Sequence, residues 1–420
     1  MHHCSTDLTS IKNWLLLVCW FVLGNTARAD IFDQSLGEIA QLNPARYDDL
    51  TLETPDTGLA AWIDNPQARI KIDNIGAGSG SSSYRMRFRP IFKKEQRVHN
   101  TISGFQLDRQ TLGREQQVLQ RLSSVYQRTV DIVQGELNKQ NLSKQVDQLN
   151  LSAQYHRSLA QTKEFDPARL QKVKFDIARV NKAQEVIVFR NEQLMLAMAS
   201  QEENAAERID SVLNMKAILM PNEIWELVQR YKTDWFNKIM SRQAAGEALT
   251  AKMAHEVLTL SQAQSGFGLN LLEMELNDDA SDNSYGMTFG FRLPNLGSNR
   301  EVIRRRLDLA EANDRYYNKE YASHQKVSEL FDELELNFKE WSAYDELLSK
   351  YSDDEVGSKS TNPELILARA EEQLSLSRRT STSYINMLRT YVELISISGV
   401  IAERPLRNWL KTGHPVIAGL

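Results

Sequence analysis

Between Tyr285 and Leu293 the chain alternates one for one: Tyr285, Met287, Phe289, Phe291 and Leu293 fall on one side, Gly286, Thr288, Gly290 and Arg292 on the other. A two-residue period is that of a β-strand, whose successive side chains point to opposite faces. The stretch SYRMRFRPIF, residues 83–92, alternates in the same way, with Tyr84, Met86 and Phe88 set against Arg85, Arg87 and Arg89. A leading strand is predicted before each. The first is ARIKIDNI, 68–75, followed by the loop GAGSGSSS; the second is GFGLNLLEMEL, 266–276, followed by NDDASDN. The alternation of the second slips at Leu271 and Leu272, which predicts a bulge.

Proline punctuates the rest. Because proline breaks helix interiors, the wide gaps from Pro90 to Pro167 and from Pro294 to Pro363 mark where long helices fit. Residues 93–162 are rich in Gln, Leu, Arg, Lys and Glu, with a thin apolar stripe that includes Leu112, Leu119, Leu122, Val133, Leu137, Val146 and Leu149. About seventy helical residues at 1.5 Å each make a rod on the order of 100 Å. A similar rod is predicted over 299–351, and rods this polar meet their neighbours along narrow seams. Each rod is followed by a break, Glu164-Phe165-Asp166-Pro167 or SDDEVGSKSTNP (352–363), and then by a returning helix. Asp166 before Pro167 and Asn362 before Pro363 read as N-caps with proline at the first helical position. A further helix is predicted over about 221–262.

This order recurs. Ser-Tyr-x-Met-x-Phe at 83–88 returns at 284–289, an offset of 201, and the Asx-Pro breaks lie 196 residues apart. Two kinds of landmark with nearly one offset read as two copies of one unit: strand, loop, strand, long helix, turn, returning helix. The chain then divides into a signal peptide (1–29), an N-terminal periplasmic segment (30–67), repeat 1 (68–220), repeat 2 with its ascending helix (221–402) and a C-terminal tail (403–420). The signal peptide rests on Lys12, the apolar run from Trp14 to Leu23 and the small-x-small site Ala27-Arg28-Ala29. An apolar core of about ten residues is too short to cross a bilayer, which takes about twenty.

Strands of about nine to eleven residues, apolar on one face and small or polar on the other, have the size of transmembrane β-strands. Four cannot close, and open edges are not tolerated in lipid, so the chain would have to oligomerise; a trimer supplies twelve strands, a permitted even number. Tyr84, Met86 and Phe88 would then face lipid. Arg85, Arg87, Arg89 and Arg292, with Arg69 and Lys71 beside them, would line the lumen, partly offset by Asp73, Glu273 and Glu275. A basic lumen implies a preference for anionic solutes; the alternative is that these arginines simply pair with acidic neighbours. Tyr84 and Tyr285, at the loop-proximal ends of their strands, stand where an aromatic belt belongs.

These residues carry a resemblance to a known family. The duplicated order resembles the TolC family of outer-membrane efflux channels from Ala68 to Val400. Pro90-Ile91-Phe92 and Pro294-Asn295-Leu296-Gly297-Ser298-Asn299-Arg300 stand at its strand-to-helix passages. The resemblance implies an α+β, mostly helical fold: a homotrimer forming a 12-stranded outer-membrane β-barrel in the outer-membrane lipid, continued by a long periplasmic α-helical barrel. It also implies a channel subunit of a tripartite efflux pump or type I secretion system, a passive conduit working with a periplasmic adaptor protein and an inner-membrane transporter. The helical tips, with Asp166 and Pro167 in one turn and Asp353, Asp354 and Glu355 in the other, become the periplasmic aperture and the adaptor-docking site. Threefold repetition of those carboxylates would attract cations; the plainer reading is a solvated turn. The sequence departs from the family at residues 30–67, where Pro44, Pro55 and Pro66 leave no room for a helix like 221–262. Either the tunnel is one helix short per protomer, or DIFDQSLGEIAQLNPARYDD takes another course.

Charge and chemistry narrow the function further. Both cysteines, Cys4 and Cys19, lie in the signal segment, so the mature chain is held by packing or oligomerisation and not by disulfides. Loss of Lys12, Arg28 and Asp7 takes the net charge from -5 to -6, and a mildly acidic exported chain is a poor nucleic-acid binder. Apart from His2 and His3 in the signal segment, the seven histidines stand singly without metal-ligand spacing, and neither a catalytic constellation nor a metal or cofactor site is expected. GAGSGSSS lacks the Lys-Ser/Thr ending of a phosphate loop, and NDDASDN lacks EF-hand spacing. The rival to a channel is a periplasmic coiled-coil structural or adaptor protein without a pore. Lys71 and the arginines leave that rival open, whereas the Phe, Met and Tyr alternation favours the channel.

Overall fold

The protein is described by a computed structural model over residues 63–73, 81–90, 93–163, 165–199, 217–265, 268–279, 282–292, 300–353, 362–405 and 407–413. The signal segment and the strand-joining loops lie outside these residues, as do Asp354, Glu355 and most of the N-terminal segment.

The chain is mostly helical with one small sheet. In order it runs β1 (Ile63–Asp73), β2 (Ser81–Pro90), α1 (Lys93–Ser158), α2 (Pro167–Ala199), α3 (Pro221–Ser265), β3 (Gly268–Asp279), β4 (Asp282–Arg292), α4 (Arg300–Asp353), α5 (Pro363–Ile397) and the short α6 (Val400–Glu403). The four strands form a single antiparallel sheet in the order β1-β2-β3-β4, so β1 and β4 are its edges. β1 begins five residues before the alternation predicts, because Pro66 sits where the pairing shifts between Asp64 and Gln67. A bulge on an edge strand spares proline the ladder bond that it cannot donate. In β3 the shift falls between Leu269 and Leu271, just before the predicted slip at Leu271 and Leu272.

The 66-residue α1 spans roughly 100 Å and packs against α2, α3 and α5, while α4 packs against α3 and α5. Both returning helices start as the Asx-Pro pattern predicts. Asp166 Oδ1 accepts hydrogen bonds from the Ala168 and Arg169 amides at 2.9 and 3.4 Å, and Asn362 Oδ1 accepts from the Glu364 amide at 3.0 Å. Such caps satisfy amides that have no partner inside the helix, so Asn362→Ala is expected to cost about 1 kcal/mol. Faster amide exchange confined to the first turn of α5 would show it; unchanged exchange there would count against it.

A contiguous buried cluster forms one belt of the helical body. Leu122, Tyr126, Val130 and Val133 from the middle of α1 meet Ile224, Val228, Trp235 and Ile239 from α3, together with Val327, Leu330 and Leu334 from α4 and Ile385, Tyr391 and Ile395 from α5. Trp235 lies between Tyr231 and Tyr391, with ring centres 5.7 and 6.1 Å away. The residues read as a tail close this belt, since Asn408, Trp409 and Leu410 are buried. The Leu219 amide donates to the Leu410 carbonyl, and the Thr412 amide to that of Ala217, each at 2.9 Å. The Tyr126 hydroxyl donates to the Arg407 carbonyl at 3.1 Å and accepts from the Trp409 amide at 3.1 Å. Tyr391 donates to the Trp409 carbonyl at 3.0 Å, and burial pushes its hydroxyl well above the ordinary range, keeping it a donor.

Beyond the belt the thin apolar stripe of α1 continues more shallowly, and polar contacts join it to α5. Leu122 and Val133 are buried, but Val146 and Leu149 are only half-buried. Hydrogen bonds across the seam join Asn141 with Ser377 and Ser381, Gln145 with Arg378, Gln148 with Glu371 and Tyr155 with Glu364. Tyr155 is near the end of α1 and Glu364 near the start of α5, so this hydrogen bond (3.2 Å) draws the two helical turns to one end of the molecule.

Candidate functional site: a sheet with one apolar and one ion-paired face

The sheet sorts chemistry by register. Met86 stands opposite Met274, which stands opposite Met287; Tyr84, Leu276 and Tyr285 form the next row, and Phe88, Leu272 and Phe289 the one on the other side. Side chains in register on one face form the stabilising unit of a sheet, and here those rows are apolar. Tyr84, Met86, Met274, Met287, Phe289 and Phe291 are all exposed, the last by 59%. Tyr84 and Tyr285, expected in an aromatic belt, thus share one row at the loop end of the sheet.

The intervening rows are charged or small. Arg85 stands opposite Glu275 and Gly286, and Arg87 opposite Glu273 and Thr288. Arg85 Nε lies 3.0 Å from Glu273 Oε1 and its Nη2 lies 3.0 Å from Glu275 Oε1, while Arg87 Nε lies 3.3 Å from Glu273 Oε2. One glutamate, with a side chain only 13% exposed, therefore serves two arginines. The pairing left open by the sequence is what the register produces. Arg89 leaves this ladder: its Nη2 lies 2.9 Å from Glu95 Oε1 in the first turn of α1, tying the end of β2 to the helix that follows. Glu95 carries no signal in the sequence, where a carboxylate in a first helical turn looks like a routine complement to the helix dipole. Arg292 stands opposite Gly268 at the helical end of β4.

The other candidate residues lie at the opposite end. The Asp166 carboxylate is engaged in capping α2 and in an ion pair with Arg169 at 3.4 Å, and Pro167 is the first residue of that helix. Asp353 is the last residue of α4, and Asp354 and Glu355 fall outside the described residues. Among the described residues no three His, Cys, Asp or Glu side chains are grouped to hold a metal, and no helix is long and apolar enough to cross a membrane.

The arrangement matches proteins of one class. The outer membrane protein VceC from Vibrio cholerae is similar in structure over 88% of this chain and 96% of its own, with a TM-score of 0.57 at 12% sequence identity. CusC, described by its transmembrane channel formation, matches over 88% and 92% at 0.56 and 10% identity. The outer-membrane channel OprN matches over 89% and 93% at 0.55 and 11% identity. No protein-family model matches the sequence, and no curated protein matches it as a relative. The chain has the fold of outer-membrane channel proteins.

Proposed function

We propose that this protein is an outer-membrane channel subunit: a passive conduit across the outer membrane and periplasm, serving a tripartite efflux pump or a type I secretion system. The observation that carries this reading is the sheet. Among the described residues, four strands of 10 to 12 residues leave two edges unpaired and one face of exposed apolar side chains, beside an opposite face of ion-paired arginines and glutamates. Apolar-out and polar-in alternation at this strand length suits a barrel wall, and lipid admits no open edge. Pairing β4 of one copy with β1 of the next would close twelve strands in a homotrimer. Tyr84, Met86, Met287 and Phe289 then meet lipid, and Arg85, Arg87, Arg89 and Arg292 line the lumen.

The helices support the same assembly. α4 buries Val302, Ala312, Val327, Leu330 and Leu334 inward, yet Ile303, Leu307, Tyr317, Tyr321 and Leu336 are exposed on its other side. At 100° per residue these five fall within an arc of roughly 100°, a second apolar stripe. α2 shows a matching stripe in Phe175, Val186 and Phe189. Two stripes on helices that do not pack together within the chain suit a second copy laid against each. The two helical turns, with Asp166 and Pro167 in one and Asp353, Asp354 and Glu355 in the other, would form the periplasmic aperture, where an adaptor protein and its inner-membrane transporter engage. Fractionation tests the reading: the mature chain is expected as a detergent-extractable trimer in outer membranes. Recovery as a soluble periplasmic monomer would sink it.

A further inference from the structure

Positive charge gathers where the helices leave the sheet. The first eight residues of α1 and of α4 hold seven lysines and arginines but only two carboxylates, in a chain whose net charge is -5. Both carboxylates are taken: Glu95 holds Arg89, and Glu301 holds Arg305 at 2.8 Å. Lys93, Lys94, Arg97, Arg300, Arg304 and Arg306 are exposed and form no ion pair with any other described residue. Helix N-termini favour carboxylates, so this charge works against the helices that carry it.

Helical periodicity sorts the directions of these side chains. In α1, Glu95 turns toward Arg89 on the ion-paired face, and at 100° per residue Lys93 and Arg97 stand about 160° from it, on the side of the apolar face. Lys94 lies on the same side, nearer the seam with α3. α4 runs parallel to α1 across α3, so its own seam with α3 has the opposite hand. Counted from the buried Val302, Glu301, Arg305 and Asp308 then turn inward, and Ile303 and Arg306 outward. Pro90 ends β2 only three residues before Lys93, so these outward cations sit under the apolar rows of Phe88, Phe289 and Phe291. The far end of the sheet is acidic instead, with Asp73, Asp279 and Asp282 at the strand ends.

Resting on the channel reading, we propose that Lys93, Lys94, Arg97 and Arg306 form a basic collar that binds the phosphate headgroups of anionic phospholipid in the periplasmic leaflet of the outer membrane. An apolar face rimmed by exposed cations fits a lipid whose acyl chains lie along the one and whose phosphate meets the other. Three copies carry the collar around the wall. The acidic far rim repels the same headgroup, which gives the sheet one preferred direction across the bilayer.

Native mass spectrometry of the full-length mature trimer in neutral detergent, titrated with dioleoylphosphatidylglycerol or dioleoylphosphatidylcholine, tests this. The anionic lipid is expected to bind more tightly than the zwitterionic one by about tenfold or more. Lys93→Gln, Lys94→Gln, Arg97→Gln and Arg306→Gln together should remove that difference. Lys93→Arg, Lys94→Arg, Arg97→Lys and Arg306→Lys together should keep it, and Lys172→Gln with Lys174→Gln, far away in α2, should leave it unchanged. Equal binding of the two lipids, a glutamine variant that binds the anionic lipid as well as the wild type, or displacement of that lipid by excess inorganic phosphate overturns the proposal. Absence of a trimer from detergent extracts of outer membranes overturns the channel reading beneath it, a separate failure.

Discussion

A chain that ends at Pro405 is expected to lose the folded helical body. Removal of the residues beyond it strips Trp409 and Leu410 from the core, and with them the hydrogen bonds to Tyr126, Tyr391, Ala217 and Leu219. Deleting one buried tryptophan or leucine side chain costs about 2 to 5 kcal/mol. The two together approach the roughly 5 to 15 kcal/mol by which a native domain is stable. Thermal unfolding of the detergent-solubilised chain, followed by circular dichroism, is the measurement. A truncated chain melting within about 3 °C of the full one would show that the segment only decorates the belt.

The second large effect is expected at the sheet, where neighbouring residues should respond in opposite ways. On the proposed reading Met287 faces lipid, whereas Thr288, one residue on, belongs to the row of Arg87 and Glu273. An arginine facing lipid near the bilayer midplane costs about 2 to 4 kcal/mol, and three copies share that cost in one trimer. Met287→Arg should therefore abolish heat-resistant trimers in the membrane fraction. Thr288→Arg should assemble, because its side chain enters water beside a glutamate. Equal impairment of the two, or normal assembly of Met287→Arg, would show that the apolar face does not meet lipid.

Much of this architecture is legible in the sequence because its signals are local. Alternation needs only a few consecutive residues, and Asp166-Pro167 and Asn362-Pro363 announce their helices in two. What was hidden depends on partners distant in the chain. The Arg85 and Arg87 pairs with Glu273 and Glu275 join residues nearly 190 positions apart, and only the register of β2 on β3 selects pairing over free charge. The polar contacts of the α1–α5 seam are not legible because Asn141, Ser377 and Ser381 look like surface residues until they satisfy one another. The clasp at 407–413 carries no periodicity, since a few residues in an irregular turn cannot express one. Pro66 reads as an interruption because proline does not fit a regular strand, and the bulge that admits it leaves no mark in composition.

The seat of the contiguous buried cluster in the helical body separates two events in time. Among the described residues, no side chain of the sheet is buried in that core. The helical body can therefore reach its native packing in water while the sheet still lacks its final surroundings. Under the proposed trimer, entry into the membrane is then an encounter of three finished bodies, each bringing a third of a wall, and not the threading of an unfolded chain. On that reading the rate of the encounter would climb steeply with the local number of copies, so supply of the subunit would bear on when pores appear.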